Sequence, residues 1–248
     1  MEGLLVPVNV ERLQVSLADA AAEVADRVLG AVGGAEDIGL ADYVHTGADT
    51  TTVLGAVRLI GADVFAPHVL LGRPVHRDDA AVVARSFTVY PPTPQPTTRQ
   101  QHVTAWRDWA VGRLLARTDE TSPAGSDAAP TPETAAALLD GAKTWQEWSA
   151  TAAQLSPLAL PGVGGPIVAA VFAGMRPLAR GVTRAVLRRD FVTAARLIRW
   201  MALSSSNGVR QPLDPVLLVE RIRLYGGTGS RLALDLAISR VLLRMEPA

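Results

Sequence analysis

Apolar residues recur at helical spacing along most of the chain. The first such run lies between Ser16, a good helix cap, and Gly33, a helix stop, and its apolar residues share one face: Leu17, Ala21, Val24 and Val28. The same period predicts further helices at residues 49–64, 98–117, 131–155, 166–188, 190–204, 214–225 and 229–244. We therefore expect a mainly helical protein.

Three segments of the first 90 residues favour strands instead. Apolar residues alternate from Leu4 to Val15, with Val6, Val8 and Val10 on one side, and a period of two is typical of a β-strand. Residues 69–71 and 82–90 are short and rich in β-branched or aromatic side chains, which also favours strands. The pattern predicts a mainly α fold, with a bundle-like helical C-terminal portion and a small α+β N-terminal portion.

Prolines indicate how the chain is divided. Residues 91–97 contain four prolines and predict an extended linker between a mixed portion at 1–90 and an all-helical portion at 98–248. Residues 118–130 are rich in Ser, Pro, Gly and Asp, which predicts a mobile loop within the helical portion. Whether the two portions fold independently stays open, because the first is small for a core of its own.

Composition excludes several classes of chemistry. The 248 residues include no Cys, so thiol catalysis, disulfides and thiolate-bound metals are excluded. Lys143 is the only lysine among 24 basic residues, which is typical of a GC-rich bacterial genome. The first residues are acidic and interrupted by Pro7, unlike an export signal, so we expect a cytoplasmic protein, with peripheral membrane attachment as an alternative.

The net charge of zero conceals two opposed halves. Residues 1–150 carry 11 basic and 19 acidic side chains, a net charge of −8, whereas residues 151–248 carry 13 basic and 5 acidic ones, a net charge of +8. Such a division favours contacts between oppositely charged surfaces, either within the molecule or between molecules.

Four of the positive charges form an arginine ladder, which consists of Arg176, Arg180, Arg184 and Arg188. Each step of four residues advances about 40° beyond a full helical turn, so the guanidinium groups form one winding stripe. Like charges at this spacing repel by about 0.2–0.5 kcal/mol per pair. We therefore expect an acidic counterpart, which the N-terminal half, a partner protein, phosphate groups or anionic lipid could supply.

An uncharged run of 28 residues, from Trp148 to Met175, precedes the ladder. Prolines and glycines between residues 161 and 166 interrupt its apolar part, so it is too short for a continuous membrane span. The favoured interpretation is a core helix entered through a tight turn. The alternative is a hydrophobic element at 157–175 that inserts into an anionic membrane beside the ladder.

Tryptophans occur in two pairs with a spacing of three residues. The pairs are Trp106 with Trp109, and Trp145 with Trp148. This spacing predicts that both indoles of a pair share one helix face. Core packing is the favoured role, and an exposed patch that binds a partner is the alternative.

Two histidine regions and one glycine loop could carry other chemistry. His45 lies near Asp42 and Asp49, and His76 lies near His68 and Asp78, but neither set has an established metal-ligand spacing. The loop at 225–231 could present backbone N–H groups and Arg231 to a phosphate, although a helix C-cap and N-cap explain its glycines. We predict no metal, no cofactor and no catalytic residue.

The leading functional hypothesis is a non-enzymatic interaction or structural protein. It would self-associate or dock into a larger protein assembly through a basic helical face, with the arginine ladder and the two Trp pairs as candidate binding residues. A membrane-active protein and a metal-dependent or small-molecule-binding enzyme at the His45 or His76 region are the alternatives. Nucleic acid is disfavoured as a partner because aromatic residues are few and no recognition motif is present.

Overall fold

The computed structural model describes residues 6–35, 37–46, 49–118 and 132–246. The chain is 74% helical, and the described residues contain no strand. The prediction of a mainly α protein is therefore confirmed.

The helices of the N-terminal portion pack as a small bundle around α3. They are α1 (Val6–Gly33), α2 (Leu40–Thr46), α3 (Thr50–Ile60), a 3₁₀ turn (Gly61–Phe65), α4 (Ala66–Leu71) and α5 (Arg77–Val89). Helix α3 contacts α1, α2 and α5, and the 3₁₀ turn continues it towards the C-terminal portion.

The C-terminal portion is a larger bundle with α11 at its centre. Its elements are α6 (Arg99–Leu115), α7 (Pro132–Leu139), α8 (Trp145–Gln154), a 3₁₀ turn (Ser156–Leu158), α9 (Gly165–Ala173), α10 (Met175–Leu187), α11 (Phe191–Ser206), α12 (Pro215–Tyr225) and α13 (Ser230–Leu242). Helix α11 contacts α8, α10, α12 and α13, and it is buried along most of its length.

The prediction of a small α+β N-terminal portion is wrong. The three predicted strands lie within helices: the described part of the first, residues 6–15, in α1, residues 69–71 in α4 and residues 82–89 in α5. Helix α5 shows the physical reason, because it buries Val82, Val83, Ser86 and Phe87, which share one helical face. The preference of β-branched residues for strands is weak, and burial of this face outweighs it.

Two long predicted helices are each two helices in the structure. The predicted helix at 131–155 is interrupted after Leu139, and α8 begins at Trp145, where the Thr144 hydroxyl accepts a hydrogen bond from the Glu147 amide at 3.2 Å. The predicted helix at 166–188 bends at Gly174. A Cβ atom at this position would lie 2.3 Å from the Trp148 ring, so only glycine fits there.

The predicted mobile loop at 118–130 lies outside the described residues, apart from Thr118. The division of the chain into 1–90, a linker at 91–97 and 98–248 stays a prediction. The structure does place one continuous apolar core across both portions, in which α13 packs against α1 and α4.

A buried ion cluster crosses this core. It consists of Asp63 in the first 3₁₀ turn, Arg199 in α11, and Arg231 and Asp235 in α13. The Arg199 guanidinium donates hydrogen bonds to both carboxylates, with a distance of 3.1 Å from its Nη1 to Asp235 Oδ1, and its Nε lies 3.3 Å from the Ala159 carbonyl oxygen. Asp63, Arg199 and Asp235 are completely shielded from solvent.

The arginines keep Asp63 ionised in this interior. Burial alone would raise the pKa of the Asp63 carboxyl, but Arg199 and Arg231 lie against it and lower that pKa below its ordinary value of 3.8. The ionised form of Asp63 is therefore more favourable, relative to the protonated form, in the folded state than in the unfolded chain. Removing only one partner of such a buried pair strongly destabilises the fold, because the other charge is left buried without a counter-charge.

We predict that Asp63→Asn lowers the free energy of unfolding by about 3–5 kcal/mol near neutral pH, because it leaves Arg199 and Arg231 short of a buried counter-charge. Since the pKa of Asp63 is lower in the folded state, its contribution is present above the unfolded value of 3.8 and is lost as the pH falls through the folded value. The difference in unfolding free energy between wild type and variant should therefore shrink as the pH falls below 3.8. Urea unfolding over a pH series measures both effects.

Asp19→Asn is the matched control, because Asp19 is exposed on α1. It should change the free energy of unfolding by less than about 0.5 kcal/mol. An Asp63→Asn variant as stable as wild type near neutral pH would contradict the role given to the buried ion cluster.

Candidate functional site

The arginine ladder lies on the exposed face of α10. Leu178, Val182 and Ala185 bury the opposite face of the helix against α8 and α11. Arg176, Arg180 and Arg184 project to solvent, and Arg188 follows directly as the C-cap. The amphipathic sequence therefore dictates that the guanidinium groups share one accessible surface.

Trp145 extends this surface. The centroid of its ring lies 5.6 Å from the Arg180 guanidinium carbon and 5.9 Å from that of Arg184. These are cation–π distances, and such contacts contribute about 0.5–1 kcal/mol at exposed sites. The indole thus orients two ladder arginines without neutralising them.

The ladder has no acidic partner in the part of the chain that the structure describes. The ion pairs found there use other arginines, among them Arg58 with Asp108 and Arg199 with Asp63. The expectation that the acidic N-terminal half neutralises the ladder within the molecule is therefore not met by any described residue. Among the described residues, nothing acidic compensates the four positive charges on this surface.

A shallow concavity of about 660 Å³ runs along the ladder, and we call it the basic groove. It is lined by Trp145, Arg176, Ala179, Arg180, Thr183, Arg184, Leu187, Arg188 and Pro212. Leu187 is 79% exposed, which is unusual for a large apolar side chain. The basic groove therefore combines a positively charged stripe with an exposed apolar contact surface.

A close approach of α8 and α10 sets the position of Trp145 beneath the ladder. A Cβ atom added to Gly181 would lie 2.5 Å from Ser149 Cβ and 3.0 Å from Leu197 Cδ1, so glycine allows the two helices to touch. Trp145 occupies the first turn of α8, one turn before Ser149, and it therefore reaches the surface next to Arg180 and Arg184.

The remaining candidate tryptophans do not join the ladder. Trp106 is completely buried, and its ring packs edge-to-face on Trp109 with a centroid distance of 5.3 Å. Trp109 is half-buried, and its guanidinium neighbour is Arg113 at 5.5 Å. Trp148 is buried against Gly174. The structure therefore places Trp106 and Trp148 in the core and only Trp145 in the basic groove.

The apolar segment at 157–175 is built into the core. Leu158, Leu160, Val163, Ile167 and Val171 are all buried, as the favoured interpretation of this segment predicted. The turn that leads into α9 contains glycines with positive φ angles at positions 162, 164 and 165, a conformation that favours glycine.

One described segment, Thr50–Leu71, is long and apolar enough to cross a membrane by length and composition alone. In the folded molecule 72% of its most apolar window is buried. It also carries Asp63, whose carboxylate pairs with Arg199. Both features are typical of a core helix.

The histidine regions do not assemble into a site. His45 Nδ1 lies 2.6 Å from the carbonyl oxygen of Ala41, and Asp49 caps α3 by accepting from the Thr51 amide at 3.0 Å. No group of three or more His, Asp or Glu side chains that could hold a metal ion occurs among residues 6–35, 37–46, 49–118 and 132–246. Asp42 lies in the first turn of α2.

His68 and His76 of the second histidine region line one small concavity with Asp79, but they form no metal-binding group among the described residues. His68 Nδ1 lies 2.6 Å from the carbonyl oxygen of Arg73, which closes the turn after α4. His76 Nδ1 lies 3.8 Å from Asp78 Oδ2, and both side chains are largely exposed. These contacts are local turn and cap interactions.

Sequence reasoning missed the ion cluster and Trp200. Trp200 is completely buried, and its Nε1 donates to the Ala152 carbonyl oxygen at 2.7 Å, which links α11 to α8. The available signal was a charge within an apolar run, since Asp63 is the only Asp, Glu, Lys or Arg between Arg58 and Arg73, and Arg199 lies between Ile198 and Trp200. Unpaired charges are rarely buried, so each implied a distant partner.

Comparison with known proteins gives no match: no family model, curated protein or solved structure corresponds to this chain. The function must therefore be inferred from the geometry of the basic groove and from the chemistry of its residues.

We predict that Gly181→Val lowers the free energy of unfolding by about 2–3 kcal/mol, because the added side chain forces α10 away from Ser149 and Leu197. Thr183→Val introduces the same residue two positions later, where the side chain is exposed, and should change stability by less than about 0.5 kcal/mol. Denaturant unfolding of both variants compares them. Equal stability of the two variants would contradict a tight contact between α8 and α10.

Proposed function

We propose that the protein is a non-enzymatic interaction protein that docks an acidic partner protein in its basic groove. The observation that carries the proposal is the set of four ladder arginines, which are exposed and unpaired in the described part of the chain. Carboxylates of a partner would relieve their mutual repulsion and form charge-assisted hydrogen bonds with them.

The apolar residues of the basic groove define a second property of the partner. Leu187 is exposed beside Ala179 and Pro212, and Trp145 forms the neighbouring wall. A partner segment that carries an aliphatic or aromatic side chain between its carboxylates would cover this surface. Trp and Arg are also the residue types that most often contribute strongly to binding at protein interfaces.

The partner is either another protein of the assembly or a second copy of this chain. The surplus of eight negative charges in residues 1–150 would make a second copy electrostatically complementary to the ladder. Light scattering distinguishes the two cases, because self-association through the ladder produces an oligomer that dissociates at high salt.

Membrane insertion has weaker support. It would remove Leu158, Leu160 and their buried neighbours from the core, and each such side chain contributes about 1.5–3 kcal/mol when buried. Attachment by the ladder alone would need anionic lipid and no insertion.

The first test measures binding of a fluorescent peptide of alternating Glu and Leu residues. We predict that Arg180→Glu/Arg184→Glu weakens binding at least tenfold, because each reversal replaces an attraction with a repulsion. Binding to the wild type should also weaken steeply as salt concentration rises. Anisotropy titrations at low and high salt measure both effects.

Arg85→Glu/Arg221→Glu is the matched control, since it makes the same change in net charge at exposed positions outside the basic groove. It should retain wild-type affinity. Equal loss in both double variants would mean that only net charge matters and would contradict a groove-specific site. The membrane alternative would be favoured over the proposal by a different result. In that case the wild type binds anionic vesicles but no acidic peptide, and the ladder variant no longer binds the vesicles.

A further inference from the structure

A second concavity lies next to the buried ion cluster, with which it shares Arg231. We call it the arginine pocket, and its volume is about 500 Å³. Three arginines from three different helices line it: Arg107 of α6, Arg196 of α11 and Arg231 of α13. Cavities of this size are typical of small-molecule sites.

The arginine pocket is electrostatically unbalanced. Arg107, Arg196, Arg199 and Arg231 surround only two carboxylates, Asp63 and Asp235. The Nε atoms of Arg196 and Arg231 both lie 3.9 Å from the same oxygen, Asp235 Oδ2. Arginines therefore outnumber carboxylates in this group.

The nearest other carboxylates are already engaged. Asp108 accepts hydrogen bonds from both terminal nitrogens of Arg58, with a distance of 3.0 Å from Nη2 to Oδ2. Asp26, at the edge of α1, accepts a hydrogen bond from the Ser230 hydroxyl at 2.8 Å. Asp108 nevertheless attracts Arg107, and Asp26 lies beside Ser230 of the pocket, so these two carboxylates offset only part of its positive charge.

Polar atoms at the pocket also lack partners. Arg107 Nε, Arg231 Nη1 and Ser156 Oγ are shielded from solvent and form no hydrogen bond within the described residues. Ser156 is only 1% exposed, so its hydroxyl cannot turn to bulk water. Buried polar atoms are nearly always hydrogen-bonded, so three such atoms around a single cavity favour a site where water or a ligand supplies their hydrogen bonds.

The arginines repel one another in this arrangement. The pKa of Arg107 is lowered by burial first and then by the charge of Arg231, with a smaller contribution from Arg196. The Arg107 Nη2 donates to the Leu59 carbonyl oxygen at 2.6 Å, which holds its guanidinium at the pocket wall. An anion between these side chains would relieve the repulsion.

The first turn of α13 adds backbone polarity. Ser230 begins this helix of 13 residues, Gly229 is its N-cap, and no side chain caps it. Both residues line the arginine pocket, so the positive end of the helix dipole is directed at it. The glycine loop at 225–231 therefore leads into a helix whose N-terminus faces an arginine-lined cavity.

We propose that the arginine pocket binds a small molecule that carries a phosphate monoester. A phosphate monoester has a charge of about −2 and three acceptor oxygens near neutral pH, which suits the surplus of arginines and the unpartnered donors. The organic part would lie on the small and apolar residues of the wall, such as Ala21, Ile60, Val103 and Pro157.

Calorimetric titration of the full chain tests this inference. The probes are glycerol phosphate, a nucleoside 5′-monophosphate, inorganic phosphate and acetate. We predict saturable binding of at least one ester with a stoichiometry of one, weaker binding of inorganic phosphate, and none of acetate. Absence of saturable binding by both esters, or esters that bind no more tightly than inorganic phosphate, would overturn the proposal.

Two variants assign the binding to this pocket. Ser156→Ala removes a hydroxyl that has no partner in the free protein, so we predict an unchanged melting temperature without ligand and an affinity about tenfold lower, which is equivalent to about 1.4 kcal/mol. Arg196→Gln, at a partly exposed position, should lower the affinity at least tenfold. A lower melting temperature with unchanged affinity in Ser156→Ala, or full affinity in both variants, would overturn the proposal.

Arg184→Gln is the control, because it removes an arginine of the basic groove only. It should retain wild-type affinity for the phosphate monoester. Binding of the acidic peptide should, in turn, be unaffected by Ser156→Ala. The two sites can therefore fail or succeed independently.

Discussion

The Arg199 guanidinium fixes the arrangement on which the other features depend. It bonds to Asp63 in the 3₁₀ turn after α3, to Asp235 of α13 and to the Ala159 carbonyl oxygen in the turn before α9. Because α11 carries Arg199 and packs against α8 and α10, its position sets where the basic groove forms. Because α13 carries Asp235 and Arg231, the same contacts set the walls of the arginine pocket. Both candidate sites therefore rest on one buried set of charges.

The arginines of residues 151–248 divide into an inward group and an outward group. Arg199 and Arg231 share the Asp63 carboxylate of the N-terminal half, so part of the opposite charge of the two halves is neutralised inside the molecule. The arginine ladder has no such counterpart among the described residues and stays on the surface with Trp145. Arginines that lie next to a carboxylate, such as Arg199, thus form internal ion pairs, whereas the ladder arginines are available to bind a partner. The neutral total charge reflects this division and does not indicate a featureless surface.

Periodicity predicted the positions of α3, α6, α11, α12 and α13 and the part of α1 after Ser16, although α11 is buried on nearly all sides. The strand predictions failed because Val-rich segments such as 82–89 bury a helical face that only the surrounding core makes favourable. The ladder was predictable because four residues in one helix carry it, whereas Asp63 and Arg199 are 136 residues apart and no local pattern connects them. The spacing of Trp145 and Trp148 could not show that Gly174 accepts one indole into the core while the other stays beside Arg180.

Because buried charges join the N-terminal and C-terminal portions, we expect the two portions to unfold as one cooperative unit. Native-state hydrogen exchange is the sharpest test, because it measures the free energy of opening for each helix separately. We predict that the slowest amides of α3 and of α11 exchange with the same free energy, equal to that of global unfolding. A lower free energy of opening shared by α1, α3 and α5, with α11 and α13 still protected, would contradict it.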